Sequence, residues 1–139
     1  MEALYRRHYA EMTDRLEKSG IHYSPFNPRL DVYFAHADRG DLLHFVVRDD
    51  GAAIGYSNIY LTNDMHNRDL IAREDTIYIV PEHRNGVGRK LSRLILSVLN
   101  EKGVKRLSVS AMTDLRVAKL WERMGFKHTA HQMTYTFER

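Results

Sequence analysis

The segment Tyr78-Ile79-Val80-Pro81-Glu82-His83-Arg84-Asn85-Gly86-Val87-Gly88-Arg89-Lys90-Leu91 constrains the fold more than any other stretch. An apolar run stops at Pro81, which has no N–H to give a strand ladder. Two glycines follow, and Val87, Leu91, Leu94, Ile95, Val98 and Leu99 then fall on one helical face that Gly103 closes. A strand that turns through glycine into an amphipathic helix belongs to an α/β architecture. The first N–H groups of that helix have no internal partner, and the aligned peptide dipoles add partial positive charge there. Glycines let an anion approach those donors, so the turn suits a phosphate or diphosphate. The plain alternative is a glycine-shaped turn beside a solvated basic face.

Two familiar phosphate motifs fail. The P-loop pattern Gly-x-x-x-x-Gly-Lys-Ser/Thr is absent. The dinucleotide fingerprint needs a third glycine where Leu91 stands, and an acid where Lys105-Arg106-Leu107-Ser108-Val109-Ser110 lies.

Around this turn the rest of the chain alternates between helical and strand periods. Tyr5, Tyr9, Met12 and Leu16 predict a helix over residues 3–18, with Gly20 as its stop. Leu30, Tyr33, Phe34 and Ala37 predict a second after Pro28, closed by Gly40, although residues 31–35 also read as a strand. Leu42–Val47 and Ala53–Leu61 form a hairpin about Asp49-Asp50-Gly51, with Ile54, Tyr56 and Tyr60 on one face and Ile59 and Leu61 on the other. A polar turn at 63–68 leads to a third strand ending at Val80. Leu107, Val109 and Ala111 predict a fourth strand. Asp114 reads as the N-cap of a helix burying Val117, Leu120, Trp121 and Met124, and Met133, Tyr135 and Phe137 alternate as a last strand. The order α-α-β-β-β-α-β-α-β predicts a mixed α/β (α+β) sheet with helices on both faces. At 139 residues, with no linker or repeat, this reads as one domain spanning 1–139.

Composition excludes several classes. No apolar run is long enough to span a membrane, and the N-terminus has no export signal. With no cysteine there is no disulfide, thiolate zinc site or cysteine nucleophile, which is compatible with the cytoplasm. His128 and His131 have no third ligand nearby, so no metal site is expected. Seven Lys/Arg against one Glu lie between Arg84 and Arg106, but without an aromatic residue among them. That disfavours a single-strand nucleic-acid surface.

These blocks resemble the GNAT superfamily of acyl-CoA-dependent N-acyltransferases. Tyr78-Ile79-Val80-Pro81-Glu82 and Gly86-Val87-Gly88 match its strand-turn-helix signature, with a turn one residue shorter than usual, as in phage-encoded members. Asp114-Leu115-Arg116-Val117-Ala118-Lys119-Leu120-Trp121-Glu122-Arg123-Met124-Gly125-Phe126 is similar to the family's Asn-x-Arg-Ala-x-x-Leu-Tyr-Glu-Lys-x-Gly-Phe, and Asp50–Tyr56 looks like its central hairpin. The strand that usually opens the fold has no counterpart before the first helix. The resemblance implies a mostly antiparallel sheet, splayed at an acetyl-CoA site between the strand ending at Val80 and the strand at Leu107–Ala111. It implies that the backbone of Ile79 and Val80 pairs with the pantetheine arm. It implies that N–H groups of Arg84, Asn85, Gly86, Val87, Gly88 and Arg89 hold the diphosphate, with Asp114 near the arm. A homodimer is common in the family, and no residue here specifies one.

The reaction so implied is direct attack of an amine on the acyl thioester. The Ile79 N–H is the expected donor to the thioester oxygen. Three residues compete as base: Asp75, which simple alternation places on the face of Ile77 and Ile79; His66 in the preceding turn; and Glu74, pointing the other way. The family's acid, a tyrosine in the last helix, is replaced by Trp121, leaving Tyr135 or water to protonate the thiolate, or Trp121 as core alone. Three functions remain open: an N-acetyltransferase for an unidentified amine, a non-catalytic CoA-binding module, and a basic nucleic-acid-binding domain.

Overall fold

The computed structural model describes residues 1–111 and 115–139. Two helices come first, α1 (Glu2–Lys18) and α2 (Leu30–Arg39), the latter closed by Gly40 in the left-handed region at φ 81°. Strands β1 (Leu42–Asp49), β2 (Ala52–Asn63) and β3 (Leu70–Ile79) follow, then a 3-10 turn (Pro81–His83), α3 (Val87–Glu101), β4 (Arg106–Ser108) and α4 (Leu115–Arg123). The sheet order is β1-β2-β3-β4, antiparallel except for the parallel β3–β4 pair. The ambiguous 31–35 stretch is helical. β1 lies at one edge of this sheet.

The two sheet faces bury different sets. Ile59, Ala72 and Ile79 pack with Leu91, Ile95 and Leu99 of α3, joined by Phe45, Leu61, Ile77 and Leu107. On the opposite face Ile54, Tyr56, Tyr78 and Val80 pack with Leu4 of α1. The sets follow strand alternation as read from the sequence except at two register breaks, one at Ile54 in β2 and one in β3. Asn58 pairs with Thr76 whereas Ile59 pairs with Glu74, which leaves Asp75 as an extra residue. A β-bulge of this kind bends its strand and increases the local twist.

The bulge explains why β4 is short. Pairing between β3 and β4 runs only from Ile71↔Arg106 through Ala72↔Leu107 to Arg73↔Ser108, and stops one residue before Glu74. Residues 109–111, expected to continue this strand, have no ladder partner because β3 has turned away. The expected last strand is also not formed. Residues 126–139 carry no strand, with Met133, Tyr135 and Phe137 at 90%, 80% and 65% exposure. Alternation alone gives no strand without an edge to pair with. The N-cap expected at Asp114 lies outside the described residues.

Packing between β2 and β3 is closest at Gly55. A Cβ there would lie 2.4 Å from Ile79 Cδ1 and 2.8 Å from the Tyr78 carbonyl oxygen. Gly55→Ala must move backbone as well as a side chain, so it should cost about 1–3 kcal/mol. Urea unfolding monitored by circular dichroism measures this, and an unchanged midpoint would contradict the packing.

Candidate active site

Among the described residues, pairing between β3 and β4 ends at Arg73↔Ser108, and β3 runs on to the start of α3. Gly86, at φ 86°, is the N-cap, with no side chain capping the helix and no acidic residue in its first turn. The helical ladder begins with Lys90 N–H donating to Gly86 O at 3.2 Å. The N–H groups of Val87, Gly88 and Arg89 therefore precede the first helical bond. Gly86 needs its left-handed conformation, but Gly88 does not have one. A Cβ on Gly88 would find Ile79 Cγ1 at 3.9 Å as its nearest neighbour. Nothing inside the fold requires a glycine at 88.

Backbone direction along β3 decides which groups face the split. Val80 N–H donates to Ile54 O at 2.9 Å, on the β2 side, and Val80 O accepts from His83 N–H at 2.9 Å. Both backbone groups of Val80 are engaged within the protein, contrary to the expectation that they pair with an external chain. Alternate residues point the other way, so the N–H groups of Ile77 and Ile79 face the side of β3 away from β2. Ile79 O accepts from Arg84 Nε at 2.7 Å.

Arg84 is thus a brace. Its Nη2 donates to Glu11 Oε1 of α1 at 2.7 Å, and its guanidinium lies 5.4 Å from the Tyr78 ring centre. Glu11 also accepts from the Tyr78 hydroxyl at 3.0 Å and from Arg15 at 3.0 Å. Although burial opposes it, the bonds from Arg84 and Tyr78 hold the Glu11 carboxyl below its ordinary range. A bidentate Arg7–Glu82 pair, at 2.8 and 2.6 Å, ties α1 to the 3-10 turn as well. Beneath them His8 stacks on Tyr78 at 4.6 Å, and burial pushes it down to about 4, so it is neutral at physiological pH. Glu11 and His8 escape sequence reading because the partners that tie them to β3 and the turn, Tyr78 and Arg84, are 67 or more residues away.

The bulge reverses the expected orientation of the two carboxylates. Glu74 shares the α3 face with Ala72 and Ile77, while Asp75 lies on the α2 face and accepts a hydrogen bond from the Tyr33 hydroxyl at 3.0 Å. Glu74 lines a void of about 10 Å³ with Ser57, Ile77, Ser92, Ile95 and Trp121. Burial pushes its carboxyl up to about 7, with a bond from the Ser110 N–H opposing and the Asp75 charge adding to the rise. Asp75 is also raised by burial, against the Tyr33 bond.

The other candidates lie elsewhere. His66 sits exposed in the β2–β3 turn, its N–H donating to Asp64 Oδ1 at 2.8 Å, at the end of β3 remote from Ile79. Tyr135 is on the exposed tail, Asn85 and Arg89 are exposed at the turn, and Asp114 is outside the described residues. Trp121 is buried against Phe126 at 5.0 Å between ring centres, and its Nε1 has no hydrogen-bond partner. A larger hollow of about 570 Å³ between β1 and α3 is walled by Phe45, Val47, Val87, Leu91 and Leu94, with His83 and Lys90 at its polar side. It does not include the split. Among the described residues no group of three metal-ligating side chains occurs, and no helix is long and apolar enough to cross a membrane.

The site thus joins a mixed sheet covered by helices on both faces to a helix start with no side-chain cap. The sequence matches the family model described as acetyltransferase (GNAT) family over residues 3–126, and the chain belongs to that family. Solved structures agree in fold. A putative acetyl transferase from Pyrococcus furiosus is 22% identical, with 94% of this chain and 95% of that one covered at a TM-score of 0.67. AAC(6')-Iy, in complex with a CoA bisubstrate analogue of acetylneamine, is 20% identical, with 83% and 84% covered at 0.64. Glucosamine-6-phosphate N-acetyltransferase from Arabidopsis thaliana is 12% identical, with 98% and 93% covered at 0.70. No curated protein sequence matches the chain.

Glu74 gives the site a measurable signature. Its carboxyl ordinarily titrates near 4.5 and does so near 7 in the fold. Between those values the unfolded chain loses the proton first, so this group's contribution to stability falls as pH rises from 4.5 to 7. His8 acts in the opposite sense, because its folded value is depressed. The difference between wild type and Glu74→Gln isolates the carboxyl: denaturant unfolding across pH 4–8 should show this slope in wild type and not in the variant. Equal slopes would place Glu74 in water.

Proposed function

We propose that the protein is an N-acetyltransferase that moves the acetyl group of acetyl-CoA directly onto a primary amine. The observation that carries this reading is Gly88. The fold leaves its Cβ position open, and a diphosphate lying against the Val87, Gly88 and Arg89 N–H groups is what a side chain there would displace. The pantetheine arm then runs along the free flank of β3, and the Ile77 and Ile79 N–H groups supply donors for the thioester oxygen.

At neutral pH an amine like that of lysine is only about one part in a thousand unprotonated. A carboxyl titrating near 7 on the α3 face of β3 is suited to take that proton, which makes Glu74 the proposed base in preference to Asp75 and His66. Glu74 accepts the proton, directly or through water, as the N–C bond forms and the C–S bond breaks. The chain has no cysteine, in keeping with transfer that passes through no acyl-cysteine. Trp121 cannot protonate the departing thiolate, which leaves as the anion or takes a proton from water. The reading treats residues 1–139 as one cytoplasmic unit. It does not require a dimer. A non-catalytic CoA-binding module is the second reading, favoured by Trp121 alone.

Release of free thiol from acetyl-CoA in the presence of an amine panel tests the proposal. The log of kcat/KM should rise with pH and level off above about 7, and Glu74→Gln should lower kcat about 10²-fold or more. CoA that binds without thiol release from any amine would favour the non-catalytic module. Gly88→Ala gives an independent check: it should raise the melting temperature of the free protein slightly, by about 0.5 kcal/mol of stability, while weakening the shift that CoA produces. Gly88→Trp should abolish that shift. Full CoA response in both variants would refute the diphosphate site.

A further inference from the structure

Asp75 is left without a role by this mechanism, yet it occupies an unusual setting. The bulge turns its carboxylate to the α2 face, where the Tyr33 hydroxyl donates to Oδ2 at 3.0 Å. Its charge acts on the phenols of Tyr33, Tyr56 and Tyr60 and pushes all three up, though burial is the larger cause in each. The cations that α2 brings nearby are already committed: His36 bonds Asp41 Oδ1 at 2.9 Å, and Arg39 lies 3.5 Å from Asp41 Oδ2. Among the described residues no Lys, Arg or His is recorded in an ion pair with Asp75. On a chain with net charge +3, this is an anionic spot walled by tyrosines. Ammonium groups are held by that combination, through charge-assisted hydrogen bonds and ring faces.

We propose that Asp75, with Tyr33 and Tyr60, seats a second ammonium group of the acceptor, so that the acceptor is an amine carrying at least two cationic nitrogens. The proposal rests on the acetyl-transfer reading and assigns its substrate class. Two to four residues of strand separate Asp75 from the Ile77 and Ile79 N–H groups, roughly 7–13 Å. That span fits a chain whose far nitrogen is held on the α2 face while its near nitrogen reaches the split. Glu74, on the other face, is free to act as base, so the two adjacent carboxylates have separate tasks.

The test compares hexane-1,6-diamine with hexylamine at pH 7.5, by thiol release and by calorimetric binding to the CoA-loaded protein. A charge-assisted contact predicts that kcat/KM favours the diamine by about 10–100-fold. Asp75→Asn should bring the ratio toward one, and Tyr33→Phe, which keeps the carboxylate, should reduce it less. If Asp75 were the base instead, Asp75→Asn would slow both amines alike and preserve the ratio, overturning the proposal. A wild-type ratio near one overturns it too. Calorimetry separates the two claims: diamine binding lost in Asp75→Asn, without turnover, would sustain the anchor and sink acetyl transfer.

Discussion

One extra residue in β3 sets the geometry of the whole site. By placing Asp75 out of register, the bulge bends β3 away from β4 one residue after their last pair, Arg73↔Ser108. The same kink sends neighbouring carboxylates to opposite faces, Glu74 toward α3 and Asp75 toward α2. A regular strand would have paired on to Ala111 and closed the gap between β3 and β4. The inward N–H groups of Ile77 and Ile79 would then have been spent on a ladder.

A strand bent in this way needs its free end fixed, and α1 supplies the anchor. Glu11 receives Tyr78 from the strand and Arg84 from the turn, while Arg84 Nε caps Ile79 O. The Arg84 N–H, which the family resemblance assigns to the diphosphate, donates to Pro81 O at 3.4 Å, and the Arg84 side chain holds the turn. Burial of His8 against the sheet keeps it uncharged next to Tyr78.

Most of the fold was legible in the sequence because it is written in periods. The α1 stripe, the β1–β2 hairpin, the glycine turn and α3 all appear where the apolar spacing puts them, and Gly40 and Gly103 lie just beyond the helices they were read as closing. The site was only half legible. Gly88 could be singled out from its motif, but the side on which Glu74 and Asp75 lie could not, since a bulge leaves no mark in the alternation of a strand with polar residues at both positions. The tail at Met133–Phe137 shows the converse: a strand-like pattern is a local property, and pairing is not. Contacts spanning most of the chain, such as Glu11 with Tyr78 and Arg84, have no signature in sequence at all.

The central claim is that the start of α3 and the flank of β3 that faces away from β2 form one continuous binding surface. Amide proton and nitrogen shifts followed during titration test it, using CoA and then adenosine 3′,5′-bisphosphate, which lacks the pantetheine arm. CoA should move the Val87, Gly88, Arg89, Ile77 and Ile79 amides, and the bisphosphate should leave the two isoleucines in place. Shifts confined to Phe45, Val47 and Leu94 in the hollow beside β1, or none at millimolar CoA, would contradict the account.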